Sequence, residues 1–307
     1  MTTMANVSLG DIYDMVCETP AGDGLVIDMM PDFLDSDMQT NSRPHVHTFY
    51  EILWFFDGRG THTVDFQDYE VKPGSIFFLS PGQVHNFDGI TRHRGISLKL
   101  CTDFLKYENA DEDIFIKYNM FNAFDVAPYF LISDPSVAEH LRGLIENMRE
   151  EQGHADDFGH MDILRALVKV FLVNVQRHGV RPDALPLQTT RVSNRLFLLF
   201  RKTLEQEYDH MHTVKDYADR LNVSSKTLTN SVTECSRKSP LAFINDRVIL
   251  EAKRLLRFTN LMVKEISYRM GYDDPSYFVK FFKRQTGYLP SDFRDNVLAD
   301  DSRQNTV

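Results

Sequence analysis

Glu265-Ile-Ser-Tyr-Arg-Met-Gly-Tyr-Asp-Asp-Pro-Ser-Tyr-Phe-Val-Lys-Phe-Phe-Lys-Arg-Gln-Thr-Gly-Tyr-Leu-Pro-Ser-Asp-Phe-Arg294 is the stretch on which the fold turns. A helix entering from Val263 ends at Gly271, the residue type best suited to a left-handed turn. A second helix is expected from Asp274-Pro275, where an acidic N-terminal residue precedes a proline of the first turn. On that helix Phe278, Phe281 and Phe282 share one face and would fill a core. Ser276, Tyr277, Lys280, Lys283 and Arg284 are left on the outside. A short helix with a buried aromatic face and a basic outer face has the shape that a DNA major groove accepts.

The pattern occurs a second time upstream. Asp216, Ala218, Arg220, Leu221 and Val223 correspond to Glu265, Ser267, Arg269, Met270 and Tyr272 at an offset of 49. Leu228, Val232 and Pro240 correspond to Phe278, Phe282 and Pro290 at an offset of 50. The slip of one residue falls in the short turn, where insertions are tolerated. Two helix-turn-helix units are therefore expected, at about 213–234 and 262–285. The outer face of the first reading helix, near Ser225–Glu234, carries Ser225, Lys226, Thr229, Asn230 and Thr233. Asn230 aligns with Lys280, and asparagine bonds adenine through two atoms at once, so it is the expected base contact there.

Charge agrees with this division of the chain. The 307 residues carry a net charge of −10, which taken alone argues against a polyanionic partner. Residues 191–295, however, hold 19 Lys+Arg against 13 Asp+Glu, so this region is +6 and the remainder −16. A nucleic acid meets the local field rather than the average. No apolar run is long enough to span a bilayer, and the acidic N-terminus with Asp11, Asp14 and Glu18 does not read as a signal peptide. Cys17, Cys101 and Cys235 are widely spaced and read as reduced thiols. A cytoplasmic protein with no membrane partner is expected.

The N-terminal part reads differently. From about Leu25 to Leu100, short runs rich in aromatic and β-branched residues, such as Tyr50-Glu-Ile-Leu-Trp-Phe-Phe and Ser75-Ile-Phe-Phe-Leu, are separated by Asp57-Gly58, Pro73-Gly74 and Pro81-Gly82. These point to a barrel or sandwich. After Asp134 the period becomes helical, with Leu141, Leu144, Ile145 and Met148 and then Leu164, Leu167, Val168, Phe171 and Val175 in two stripes. Those stripes would pack on the barrel, pair two copies through residues 157–176, or do both. The expected fold class is thus α+β in two domains. Residues 1–178 form a barrel with a helical pair, 179–190 a linker, 191–295 an all-α domain and 296–307 a flexible tail.

Within the barrel, alternation along an extended strand puts His45, His47 and Glu51 on one face with Phe49, Leu53 and Phe55, while Trp54 faces the other way. His85, on a neighbouring strand, would join them. Two imidazoles, a carboxylate and a third imidazole suit a divalent transition metal. The same side chains read equally as a polar patch lining an effector pocket, with Arg43 and Phe87 at its mouth.

The stretch 265–294 closely resembles the signature of the AraC/XylS family of bacterial transcription regulators, and the likeness extends more loosely over 191–295. It implies two helix-turn-helix units joined by a long helix, here Pro240–Arg257, each entering a successive major groove of double-stranded DNA. Val232 and Arg237 stand where the family usually has an aromatic residue and glycine. The runs His45-Val-His-Thr-Phe-Tyr-Glu51 with Gly58, and Pro81-Gly-Gln-Val-His85, resemble the two short motifs of the cupin superfamily. Together the resemblances imply a transcription regulator, an activator by family habit and, if an activator, a partner of RNA polymerase; the stripe over 157–176 adds the expectation of a homodimer. Its cupin-like barrel would bind a small-molecule effector, a sugar or equally a fatty acid or aromatic compound, with no obligatory cofactor. The alternative is a metal-dependent cupin enzyme, a dioxygenase or isomerase, on His45, His47, Glu51 and His85. That alternative leaves the last third of the chain unexplained.

Overall fold

The computed structural model describes residues 16–17, 24–30, 44–87, 94–101, 104, 120–121, 127–181 and 191–295. Arg43 and the expected tail at 296–307 lie outside them, as do residues 182–190 of the expected linker. The chain divides into two compact units, Met1–Ala184 and Leu185–Val307.

The first unit contains β1 (Val16–Cys17), β2 (Leu25–Met30), β3 (Val46–His47), β4 (Tyr50–Asp57), β5 (Gly60–Val64), β6 (Gln67–Val71), β7 (Ser75–Leu79), β8 (His85–Phe87), β9 (Arg94–Leu100) and β10 (Tyr129–Leu131). An antiparallel sheet runs β10-β7-β4-β9-β2, a second runs β6-β5-β8, and β1 pairs with β3 in parallel. A bridge between His45 and His85 joins the β3 segment to β8. The period-2 side-chain alternation of β4 explains why its centre is buried on both faces. Leu53 and Phe55 face the interior between the sheets with Val64, Val71, Phe77, Leu79 and Phe87. Ile52 and Trp54 face the helices α1 (Pro135–Gln152) and α2 (His160–His178), packing with Leu141, Ile145, Leu164, Val168 and Phe171. Trp54 meets Phe171 at a ring-centroid separation of 6.2 Å.

Helix α1 starts where Asp134 accepts the Ser136 N–H at 2.8 Å, with Pro135 in the first turn. The first unit continues past the boundary expected at residue 178. Val180 and Leu131 exchange backbone hydrogen bonds at 3.0 Å, and the Arg181 guanidinium lies over the Phe130 ring at 4.5 Å.

The second unit is helical: α3 (Arg191–Glu207), α4 (Val214–Arg220), α5 (Ser225–Ser236), α6 (Pro240–Phe258), α7 (Val263–Arg269) and α8 (Pro275–Thr286). The duplication seen in the sequence is also a duplication of hydrogen bonds. Val223 N–H donates to Ala218 and Tyr272 N–H to Ser267, each at 3.0 Å. The turn residues Asn222 and Gly271 both take positive φ, 55° and 72°. A Cβ on Gly271 would lie 2.1 Å from the Asp209 carbonyl oxygen, so glycine is required there twice over. The extra residue of the second copy is Asp273, because Ser224 and Asp274 are the equivalent N-caps. At the C-termini, Arg237 and Gly287 occupy matching left-handed positions. Ser236 and Thr286 hydroxyls then donate back to Val232 and Phe282 at 2.7 and 2.8 Å.

A buried ionic cluster secures α3 to α6. Arg247 donates to Glu205 at 2.9 Å and to Glu251 at 3.1 Å, and Arg254 donates to Glu251 at 3.2 Å. Burial pushes Glu251 up, but the two guanidinium groups outweigh it and hold its carboxyl below the ordinary value.

Candidate functional site

Two surfaces carry chemistry, one in each unit. In the second, the buried faces of α5 (Leu228, Ser231, Val232 and Cys235) and α8 (Phe278, Phe281 and Phe282) fix which side chains point outward. Directly opposite these faces, at 100° per residue, stand Lys226, Asn230 and Thr233 on α5 and Ser276, Lys280 and Lys283 on α8. All six are exposed and correspond pairwise at the offset of 50. Ser225, Tyr277 and Arg284 are exposed nearer the helix flanks. Thr229 is only half-buried, and its hydroxyl donates to the Ser225 carbonyl at 2.8 Å, within its own helix. Tyr277 and Arg284 also border a hollow of about 680 Å³, shared with His212, Asn245, Asp273 and Asp274.

The inner site sits between the sheets of the first unit. His45, His47, Glu51, His85 and Phe87 are all between 1% and 4% exposed. Phe87 is therefore not at a pocket mouth, as the sequence suggested. It is stacked on His62, with ring centroids 4.3 Å apart, inside the apolar cluster. His47 Nε2, a Glu51 oxygen and His85 Nε2 converge, with one donor atom from each residue inside a 4.8 Å span. His45, the fourth expected member, is not in that group; its ring lies against His85 at 4.2 Å.

Residues missed by the sequence reading hold these three in place. The Ser97 hydroxyl donates to Glu51 Oε1 at 2.6 Å, and His62 Nε2 lies 3.1 Å from His85 Nδ1. His47 Nδ1 donates to the Phe49 carbonyl at 2.8 Å. Burial pushes Glu51 up, but the adjoining His47 imidazole and the Ser97 hydroxyl more than reverse this and hold its carboxyl at about 2. Burial, reinforced by His45, His47 and His62, pushes His85 well below its ordinary value, so it stands as a neutral imidazole. His47 Nε2 meets Glu51 Oε2 at 3.2 Å, whereas His85 Nε2, 3.9 Å from the same oxygen, is buried without a hydrogen-bond partner. Such a group ordinarily costs about 1–3 kcal/mol. Two imidazoles and one carboxylate so placed are a donor set that a divalent cation can accept.

Comparison with known proteins agrees with both halves. Residues 33–168 match the family described as the AraC-like ligand binding domain, and residues 217–296 match a helix-turn-helix domain family. The chain is 24% identical over 262 residues to the HTH-type transcriptional activator RhaS of Escherichia coli (strain K12), covering 83% of this chain and 88% of that protein. Among solved structures it is similar to ToxT from Vibrio cholerae O395, at 14% identity over 80% of this chain and 88% of that one, with a TM-score of 0.38. It is also similar to the DNA-binding domain of AdpA in complex with a target DNA, at 25% identity over 36% of this chain and 97% of that one, with a TM-score of 0.31. With a ligand-binding half and a helix-turn-helix half matched in this order along one chain, the protein belongs to the AraC/XylS family of transcription regulators.

Proposed function

We propose that this regulator inserts α5 and α8 into successive major grooves on one face of double-stranded DNA. Asn230 and Lys280 would meet base edges, and Lys226, Lys283 and Arg284 would meet phosphates. The supporting observation is the matched exposure of Lys226, Asn230 and Thr233 with Ser276, Lys280 and Lys283 on two repeat-related helices. Adjacent grooves recur about every 34 Å along the duplex.

The family makes the chain a DNA-binding regulator and not an enzyme. Its first unit is the ligand-binding half, and an effector reaching His45, His47, Glu51 or His85 must enter the barrel interior, because all four are buried. Binding there biases a two-state equilibrium by its different affinity for the two states, and DNA affinity follows. Among the described residues no helix is long and apolar enough to cross a membrane; a cytoplasmic regulator acting as an activator on RNA polymerase is the proposal.

Homodimerisation through α2 is part of the same reading. That helix buries Leu164, Val168, Phe171 and Val175 inwards yet leaves Ile163 and Val170 exposed at 45% and 43% on another side, with Phe158 fully exposed just before it. A gel-shift series with the chain's own upstream DNA across salt concentrations tests the main claim. A specific complex whose log affinity falls linearly with log salt is expected. The absence of any specific complex would end the reading.

A further inference from the structure

The two copies of the repeat differ at their turns, and the differences point from one copy to the other. The left-handed turn position is Asn222 in the first copy and Gly271 in the second, at φ 55° and 72°. Asparagine there shows that the turn itself tolerates a side chain. What excludes one at Gly271 lies outside its own helix pair. An added Cβ would meet the Asp209 carbonyl oxygen at 2.1 Å and His212 Cε1 at 3.2 Å. The next position is Val223 in the first copy and Tyr272 in the second. Valine suffices for the turn, whereas the Tyr272 ring stacks on His212, with centroids 4.4 Å apart and planes within 11°.

Asp209 and His212 belong to residues 208–213, which join α3 to α4 on the side of the first copy. That segment is anchored where it lies. The Tyr217 hydroxyl donates to the Met211 carbonyl at 3.1 Å, Met211 N–H donates to Glu207 at 2.8 Å, and Thr213 and Asp216 cap α4 reciprocally. Tyr272 is anchored in the second copy, with its N–H on Ser267 at 3.0 Å and its ring 5.5 Å from those of Phe278 and Phe281. Each ring is thus fixed to its own helix pair, and the stack carries position from one pair to the other. Beside it the copies part around the hollow of about 680 Å³, which Leu241, Ile244 and Val248 of α6 also line.

We propose that His212 is a positioning residue for DNA reading. Stacked on Tyr272, with the Asp209 carbonyl seated on Gly271, it locks the second helix-turn-helix to the first. This contact and α6 together then set the spacing of α5 and α8. The role rests on the reading in which both helices enter DNA. Two linked binding units gain affinity through the effective concentration of the second at its own groove, and a fixed geometry raises that concentration only for the spacing it matches. The lock therefore confers affinity for a correctly spaced site and intolerance of any other.

The full chain is titrated, by gel shift at fixed salt, onto three kinds of DNA. These are its own upstream site, that site with one base pair inserted between the two grooves, and duplexes retaining either groove alone. One inserted pair moves the second groove by about 3.4 Å and about 35°. Wild type should lose about 5–150-fold on insertion, the cost of a lost base contact. His212→Ala should bind the native site about 2–12-fold more weakly, the strength of a stacked aromatic pair. It should also lose less than wild type on insertion and match wild type on each single-groove duplex. His212 is half-buried at the edge of the hollow, so its truncation opens no core cavity. His212→Phe keeps a ring and should restore both properties. Tyr272→Val installs the first copy's residue and should repeat the His212→Ala pattern, with the double variant no worse than either single one. A wild-type insertion penalty in His212→Ala overturns the proposal. So does an equal loss on the single-groove duplexes, which marks local damage to one helix pair instead of lost spacing. Wild type that binds the intact site no better than a single groove removes the reading of two grooves, and the positioning role with it. A wild-type advantage that His212→Ala retains in full removes the positioning role alone.

Discussion

Arg237→Gly should stabilise the helical unit, and the internal repeat supplies the reason. Arg237 ends α5 at φ 60°, whereas its counterpart Gly287 ends α8 at φ 84°. A residue with a Cβ costs about 1–2 kcal/mol in the left-handed region. Glycine's greater freedom in the unfolded chain returns about 0.5–1 kcal/mol of that gain. The Arg237 side chain is exposed, and the N–H that closes the helix onto the Thr233 carbonyl at 2.8 Å is backbone and survives the change. The net effect is about 0.5–1 kcal/mol, which for a domain of this size is a rise of about 2–8 °C. Since Trp54, the chain's one tryptophan, lies in the first unit, its fluorescence provides an internal control. The far-UV circular dichroism transition of the helical unit should move up while the fluorescence transition stays in place. Gly287→Ala should shift the helical transition the other way. If Arg237→Gly lowered the transition or left it unmoved, the left-handed cap would not be the strained element that the repeat suggests.

Other substitutions probe the remaining supports of this unit. Glu251→Ala leaves Arg247 and Arg254 buried with less compensation and should cost about 3–5 kcal/mol in chemical denaturation, far more than loss of an exposed pair such as Arg220–Glu207. Because the Glu251 carboxyl is held below its ordinary value of 4.5, its contribution is complete above that pH and is lost as pH falls through the lowered value. Acid titration of wild type should therefore show a destabilisation below pH 4.5 that Glu251→Gln lacks. Gly271→Val forces a branched side chain into φ 72° and onto the Asp209 carbonyl, and should unfold the second helix-turn-helix in amide-exchange measurements. Protection in α7 and α8 equal to wild type would contradict the requirement for glycine there.

What the sequence disclosed depended on how local the determining physics was. The helices of the second unit were legible because cap, apolar stripe and turn residue lie within a few positions of one another, as in Asp274, Phe278 and Gly271. The buried cluster of Arg247, Glu251 and Arg254 was not, because charges on a long helix usually face water and only the packing of α3 reveals otherwise. In the barrel, alternation placed His45, His47 and Glu51 on one side but says nothing of distance. His45 lies two residues before His47, and its nitrogens fall outside the convergent group. His62 sits between Thr61 and Thr63 with no motif around it, and Ser97 pairs opposite Leu53 from a distant strand. Both depend on register between strands, which no single segment encodes. Asn222 was missed as a left-handed turn residue, although asparagine tolerates that conformation and its repeat partner is Gly271.

The claim that both helix-turn-helix units read DNA is tested most directly by hydroxyl-radical footprinting of the full chain on its own upstream DNA, alongside Asn230→Ala and Lys280→Ala. Two protected segments about one helical turn, 10–10.5 base pairs, apart are expected, with each substitution weakening protection in its own segment and sparing the other. A single protected segment, or two that neither substitution touches, would contradict it.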